Sequence, residues 1–124
     1  MIVLAAMMAS MTVADMRHQR RVLIVAAPSA ADARRVAQDA ALAGMTKDLA
    51  DRDVTVVALT GDTVRGAADT AAALRERWRL PKAAFGVVLV GKDGHAALRR
   101  SEPIDASTLV ATIDAMPMRR AGQR

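Results

Sequence analysis

Val22-Leu23-Ile24-Val25-Ala26-Ala27-Pro28-Ser29-Ala30-Ala31-Asp32 is the stretch on which the fold turns. A short apolar run rich in β-branched residues reads as a strand buried on both faces, the kind found in parallel sheets. Pro28 ends it. Ser29 fits a helix N-cap, with Asp32 three residues on at capping-box spacing. The helix that follows carries Ala33, Val36, Ala37, Ala40 and Ala41 on one side and Arg34, Arg35, Gln38 and Asp39 on the other. Gly44 breaks or bends it, and a further turn runs through Leu49.

Outward from that unit the pattern repeats with variation. Val54-Thr55-Val56-Val57-Ala58-Leu59 is a second buried strand, and Thr60-Gly61-Asp62 a loop. A second helix covers residues 67–78, with Ala67, Ala71, Leu74 and Trp78 on one face and Arg75, Glu76, Arg77 and Arg79 outward; Pro81 stops it. Val87-Val88-Leu89-Val90 is a third strand. Lys92-Asp93-Gly94 is a hairpin turn, and residues 96–100 pair back as a fourth, more exposed strand. Ile104 and Leu109 flank an N-cap at Asp105 as a hydrophobic staple. The last helix runs to about Met116 and stops at Pro117. The order is β-α-β-α-β-β-α. Strands joined through helices are expected parallel and the hairpin pair antiparallel, which makes a mixed four-stranded sheet in an α/β fold.

The 124 residues fit one domain that can bury its own core. With only Trp78 and Phe85 aromatic, that core is built from Ala, Val, Leu, Ile and Met. The N-terminal fourteen residues read differently: residues 2–9 are almost wholly apolar and no charge precedes Asp15. The run is too short to span a bilayer. It resembles the apolar part and small-residue cleavage site of a signal peptide, with Ala14 one cut point, although the basic start is missing. Residues 1–14 are therefore set apart as a leader and residues 15–124 taken as the domain, with a periplasmic or secreted location expected and a cytoplasmic one as the alternative.

The β-α-β-α-β-β-α order resembles that of thioredoxins, which implies a three-layer sandwich. Ala27-Pro28-Ser29-Ala30-Ala31-Asp32-Ala33-Arg34 sits where thioredoxins carry Ala-Pro-Trp-Cys-Gly-Pro-Cys-Lys, which puts Ala30 and Ala33 at the two cysteine positions. Residues 87–94 resemble the thioredoxin segment ending in Lys-Asp-Gly. The cis-proline preceding that segment has no counterpart, and Phe85 and Gly86 stand near its place. A closer resemblance is to a peroxiredoxin-like domain family of unknown function found in small bacterial proteins and in sushi-repeat and equarin-type extracellular proteins. Gly91-Lys92-Asp93-Gly94, Leu98-Arg99, Pro103 and Ile113-Asp114-Ala115-Met116-Pro117-Met118-Arg119-Arg120 look like its C-terminal half, and residues 22–32 like its start. The resemblance covers residues 21–120, implies export for many bacterial members, and implies no activity.

Chemistry is narrowed mainly by what is missing. There is no cysteine, so thiol–disulfide exchange and thiol-based peroxide reduction are excluded for the chain alone. His18 and His95 have no partner at ligand spacing, so no metal is expected. No Ser-His-Asp triad assembles convincingly: Ser29, Ser101 and Ser107 each have a capping or turn explanation, and the loop carboxylates Asp62 and Asp93 fit turn roles. The Gly61 and Gly66 loop lacks the lysine and spacing of a phosphate loop, and no cofactor is implied. The start of the first helix keeps anion-binding physics, with Ser29, Asp32, Arg34 and Arg35 as candidate ligand-binding residues. The plainer reading makes Ser29 a cap only.

The formal charge is +5, and 15 of 18 basic residues are Arg. Arg17, His18, Arg20 and Arg21, then Arg75, Arg77, Arg79 and Lys82, then Arg119, Arg120 and Arg124 form clusters that could meet phosphates. No aromatic residue is interleaved for base stacking, so nucleic acid is disfavoured. Met118 among arginines is a candidate partner contact. Three functions stay open: a non-catalytic binding or adaptor module for an unidentified protein or small anionic ligand; a thiol- or anion-binding enzyme built on Ser29; and a polyanion binder.

Overall fold

The computed structural model describes residues 10–122. The expectation for residues 1–9 lies outside them. In chain order the elements are a 3-10 turn (Ala14–Met16), β1 (Arg21–Ala27), α1 (Ala33–Ala43), α2 (Thr46–Asp51), β2 (Val54–Thr60), β3 (Thr63–Arg65), α3 (Ala71–Trp78), β4 (Gly86–Val90), β5 (Ala96–Arg100), α4 (Ala106–Asp114) and α5 (Pro117–Arg120). The sheet has five strands, in the order β3-β2-β1-β4-β5, rather than the four expected. β1 lies parallel to β2, with Leu23 opposite Val56, and antiparallel to β4, with Leu23 opposite Leu89. β5 closes antiparallel on β4.

The extra strand is β3, which pairs back on β2 through the two-residue turn Gly61-Asp62. Gly61 has φ +56, which a glycine adopts freely. The turn is a hairpin rather than the expected loop. Gly66, just beyond β3, is held to glycine more tightly: at φ +94, a Cβ there would sit 2.5 Å from the Val56 carbonyl oxygen.

β1 is buried along its whole length because helices cover both faces of the sheet. Val22, Ile24 and Ala26 face one core with Val57, Leu59, Val88, Val90, Ala71, Leu74 and Trp78, so α3 covers that side. Leu23, Val25 and Ala27 face the other with Leu42, Leu49, Val87, Leu89, Leu109 and Ile113, so α1, α2 and α4 cover that one. Ile104 and Leu109 are both buried on either side of the Asp105 cap, as a staple requires.

Several expectations need correction. α1 buries Gln38 and Leu42, while Val36 stays 55% exposed and Ala33, Ala37 and Ala40 are also exposed. Alanines give a helix little hydrophobic asymmetry, so the larger Leu42, with Met45 and Leu49 beyond it, sets its rotation. Ala67 is buried but precedes α3, whose N-cap is Thr70. Arg79 in the left-handed region ends α3 before Pro81 is reached, and Arg75 bends back onto the Gly61, Leu80 and Pro81 carbonyls instead of pointing outward. Pro117 is the first residue of α5 as well as the end of what precedes it.

Packing against the α3 side of the sheet begins before Asp15. Met16 is fully buried and Val13 is 6% exposed, both in the α3-side core, with Met11 packed against them. The Val13 amide donates to Asp69 Oδ1 at 2.8 Å, and the Ala68 amide to the Met11 carbonyl at 2.8 Å. Residues 11–14, set apart with the leader, are part of the packed structure. Among the described residues, no helix is long and apolar enough to cross a membrane.

Candidate functional site at the foot of the sheet

The head of β1 leads into the start of α1, where the sequence placed its site. Asp32, not Ser29, is the N-cap. Its carboxylate accepts from the Arg34 amide at 2.9 Å and the Arg35 amide at 3.4 Å. Ser29 is exposed in the bend upstream, its carbonyl accepting from the Asp32 amide. A serine four residues before the first helical residue is too early to reach the free amides, and the carboxylate nearer to them takes the role. Arg34 pairs with Glu102; Arg35 pairs with Asp39 at 2.9 Å and donates to the Thr60 hydroxyl. The four candidates lie together, but the Asp32 carboxylate is bound to helix amides and the two arginines are paired with Glu102 and Asp39. Asp32→Ala should therefore lower stability by about 1 kcal/mol, and Ser29→Ala by less than about 0.5 kcal/mol, in urea melts. Equal losses would return the cap to Ser29.

The foot of β1 is different. Arg21 opens the strand and is 1% exposed, on the same face as Leu23 and so beneath the α4 side of the sheet. Its Nη1 donates to the Arg52 carbonyl at 2.7 Å, and its Nε lies 3.2 Å from the Met116 sulfur. Burial pulls its pKa below the ordinary value; Arg119 adds to this, and Asp53 and Asp114 offset part of it. The guanidinium stays charged regardless.

Around it runs a network of ion pairs. Arg52 grips Asp114 with Nε at 3.0 Å and Nη2 at 3.2 Å, which raises the Arg52 pKa and depresses that of Asp114. Arg119 bonds Asp51 at 2.6 Å and Asp114 at 3.3 Å. Lys92 meets Asp53 at 2.9 Å, with Arg20 at 3.7 Å. Asp53 holds φ +54, a strained value for a side-chain-bearing residue, where it receives both cations. The network ties α4 and α5 to α2 and to the β4–β5 turn. The basic run Arg17-His18-Gln19-Arg20-Arg21 is thereby divided: Arg20 and Arg21 turn inward, while Arg17 and His18 stay exposed.

Beside the network opens a cleft of about 300 Å3. Arg21 and Lys92 line it together with Ala97, Met116, Pro117 and Met118. The β4–β5 pairing steps from Leu98 to Ala96, so Ala97 sits at a bulge on the cleft wall. Met118, 39% exposed, is one of two large apolar side chains left open among the described residues. Sequence reasoning missed Arg21 as a site residue because it closes a polar run. Its adjacency to the buried run Val22-Leu23-Ile24-Val25 was the available signal.

Asp105, capping α4, has the most displaced titration. Hydrogen bonds from the Ser107 and Thr108 hydroxyls and the Thr108 amide lower its pKa to about 2. With Asp114 depressed as well, both carboxylates favour the fold above the ordinary aspartate range, and that contribution fades as pH falls through their folded values. Stability should hold down to about pH 4 and decline toward pH 2. A carboxyl NMR titration of Asp105 should show a midpoint near 2; a midpoint at the ordinary aspartate value of 3.8 would contradict the cap geometry.

Among the described residues no three His, Asp or Glu side chains gather as a metal site. No curated protein and no solved structure matches the chain. One family model does, over residues 12–122, spanning the head of β1, the foot network and the α4–α5 motif alike. The chain therefore belongs to the family described as Domain of unknown function (DUF4174).

Proposed function

We propose that this domain is a thioredoxin-like module that binds rather than catalyses. The β2-β1-β4-β5 order, with β1 parallel to β2 and antiparallel to β4, supports the thioredoxin-like relation, β3 being an addition at one edge. The same relation would group the chain with the domains of sushi-repeat and equarin-type extracellular proteins. The observation that carries the binding reading is the start of α1. Ala30 and Ala33 stand where sulfur would be needed, and the Asp32 carboxylate already occupies the amides that would hold a substrate anion. That arrangement also disfavours the enzyme built on Ser29. Pure protein should turn over neither insulin disulfides nor hydrogen peroxide above buffer rates. Steady turnover of either would end the proposal.

We place the protein outside the cytoplasm, on the strength of the apolar run at residues 2–9. Cell fractionation with N-terminal sequencing of the native chain tests this. An unprocessed chain in the cytoplasmic fraction would end it.

A second reading has an observation of its own. Arg77, Arg79, Arg99 and His95 surround one shallow cleft between the end of α3 and β5. None of these arginines forms an ion pair among the described residues. This supports polyanion binding read through charge alone, since the one indole there, Trp78, is buried beneath Arg77. Binding to single-stranded DNA that fades with salt would support it; no binding at low salt would remove it.

A further inference from the structure

Arg21 is the only charged residue in the central strand, and among the described residues no carboxylate lies within ion-pairing distance of it, Asp53 and Asp114 acting on it only from further off. The carboxylates around it are committed elsewhere: Asp53 to Lys92 and Arg20, Asp114 to Arg52 and Arg119, Asp51 to Arg119. Among the described residues its Nη2 makes no hydrogen bond, and its Nε has only a thioether sulfur, a weak acceptor. A buried guanidinium left unpaired is costly, and it cannot shed its proton to escape the cost. Here it lies at the floor of a cleft whose walls are mostly apolar: Ala97, Met116, Pro117 and Met118. Lys92 and Asp93 line it too, and an apolar pocket with a few convergent polar groups is the usual form of a small-ligand site.

We propose that this cleft binds a small monocarboxylate, its carboxylate on Arg21 and a short apolar tail along Met116, Pro117 and Met118. Resting on the reading of the domain as a binding module, the proposal names the ligand class. A planar carboxylate fits the guanidinium fork better than a single-point acceptor does. Of the charged residues that line the cleft, Arg21 and Lys92 are offset in part by Asp93, which leaves one net positive charge to meet a single negative one. A volume of about 300 Å3 is roughly twice that of a cavity that takes up benzene, enough for a head and a short chain.

Hexanoate is the probe, followed by calorimetry and thermal shift on the full chain. Hexanoate should bind saturably at millimolar concentration, and acetate and hexanol should each bind about tenfold more weakly or not at all. Arg21→Met should abolish hexanoate binding, and Arg21→Lys should weaken it. Should Arg21→Met fail to fold, Ala97→Glu, an exposed position on the cleft wall, carries the same test: the added carboxylate should cut affinity about tenfold. Absence of hexanoate binding, binding unchanged in Ala97→Glu, or tighter binding of hexyl phosphate than of hexanoate would each overturn the proposal. Redox turnover would defeat the binding-module reading and leave this site standing. A failed hexanoate titration would do the reverse.

Discussion

Replacing Gln38 with leucine should destabilise the domain by about 3 kcal/mol, a fall in Tm of roughly 10 °C. Gln38 is fully buried in α1, and its amide works in both directions. Nε2 donates to the Ile104 carbonyl at 3.0 Å, and the Ile104 amide donates to Oε1 at 2.8 Å. Leucine would fill much the same space yet strand both backbone groups, and a buried group without a partner costs about 1–3 kcal/mol. Ile104 immediately precedes the Asp105 cap, so the pair also fixes where α4 begins. The control is Val36→Gln on the same helix. That position is exposed, and its substitution should shift stability by less than about 0.5 kcal/mol. Thermal melts of the two variants decide the matter. A neutral Gln38→Leu with a costly Val36→Gln would restore the helix face that the alanine pattern suggested.

A chain beginning at Asp15 should be less stable than one beginning at Ser10 by about 3 kcal/mol. Val13 is buried in the α3-side core, and burying a valine side chain contributes about 1.5 kcal/mol or more. The shorter chain also loses the Met11 packing, the Val13 amide bond to Asp69 and the Met11 carbonyl that accepts from Ala68. Asp69 and Ala68 would then face water just before α3, loosening the helix that covers that side of the sheet. The comparison bears on export as well. If processing occurs, a cut after Ala14 would remove packed residues, so a cut before Met11 is the one compatible with this core. Equal melting temperatures for the two chains would contradict the packed role of residues 11–14.

The order of the strands and helices was legible because it depends on local signals. Runs such as Val22-Leu23-Ile24-Val25 and Val87-Val88-Leu89-Val90, the Asp105 cap and the β4–β5 hairpin each announce themselves within a few residues. β3 was missed because three residues carry almost no periodicity; the two-residue Gly61-Asp62 turn was its only mark. The face of α1 was misread because six of its eleven residues are alanine or glutamine and one is an exposed valine. A glutamine goes inside only when something pairs with it, and its partner lies 66 positions away. Arg21 was hidden for a related reason. Its burial comes from Arg52 and Met116, on elements that meet only in the folded chain. Ser29 gained weight from a motif spacing that Asp32, one residue before the helix, satisfies better.

The head and foot of β1 are roughly 20 Å apart along the strand, which lets one experiment separate the two candidate ends. In a titration of 15N-labelled protein with hexanoate, amide shifts should concentrate at residues 91–97 and 115–118 and leave residues 29–35 still. Shifts centred on residues 29–35, with the foot unmoved, would contradict the claim that this domain binds through Arg21 rather than through the start of α1.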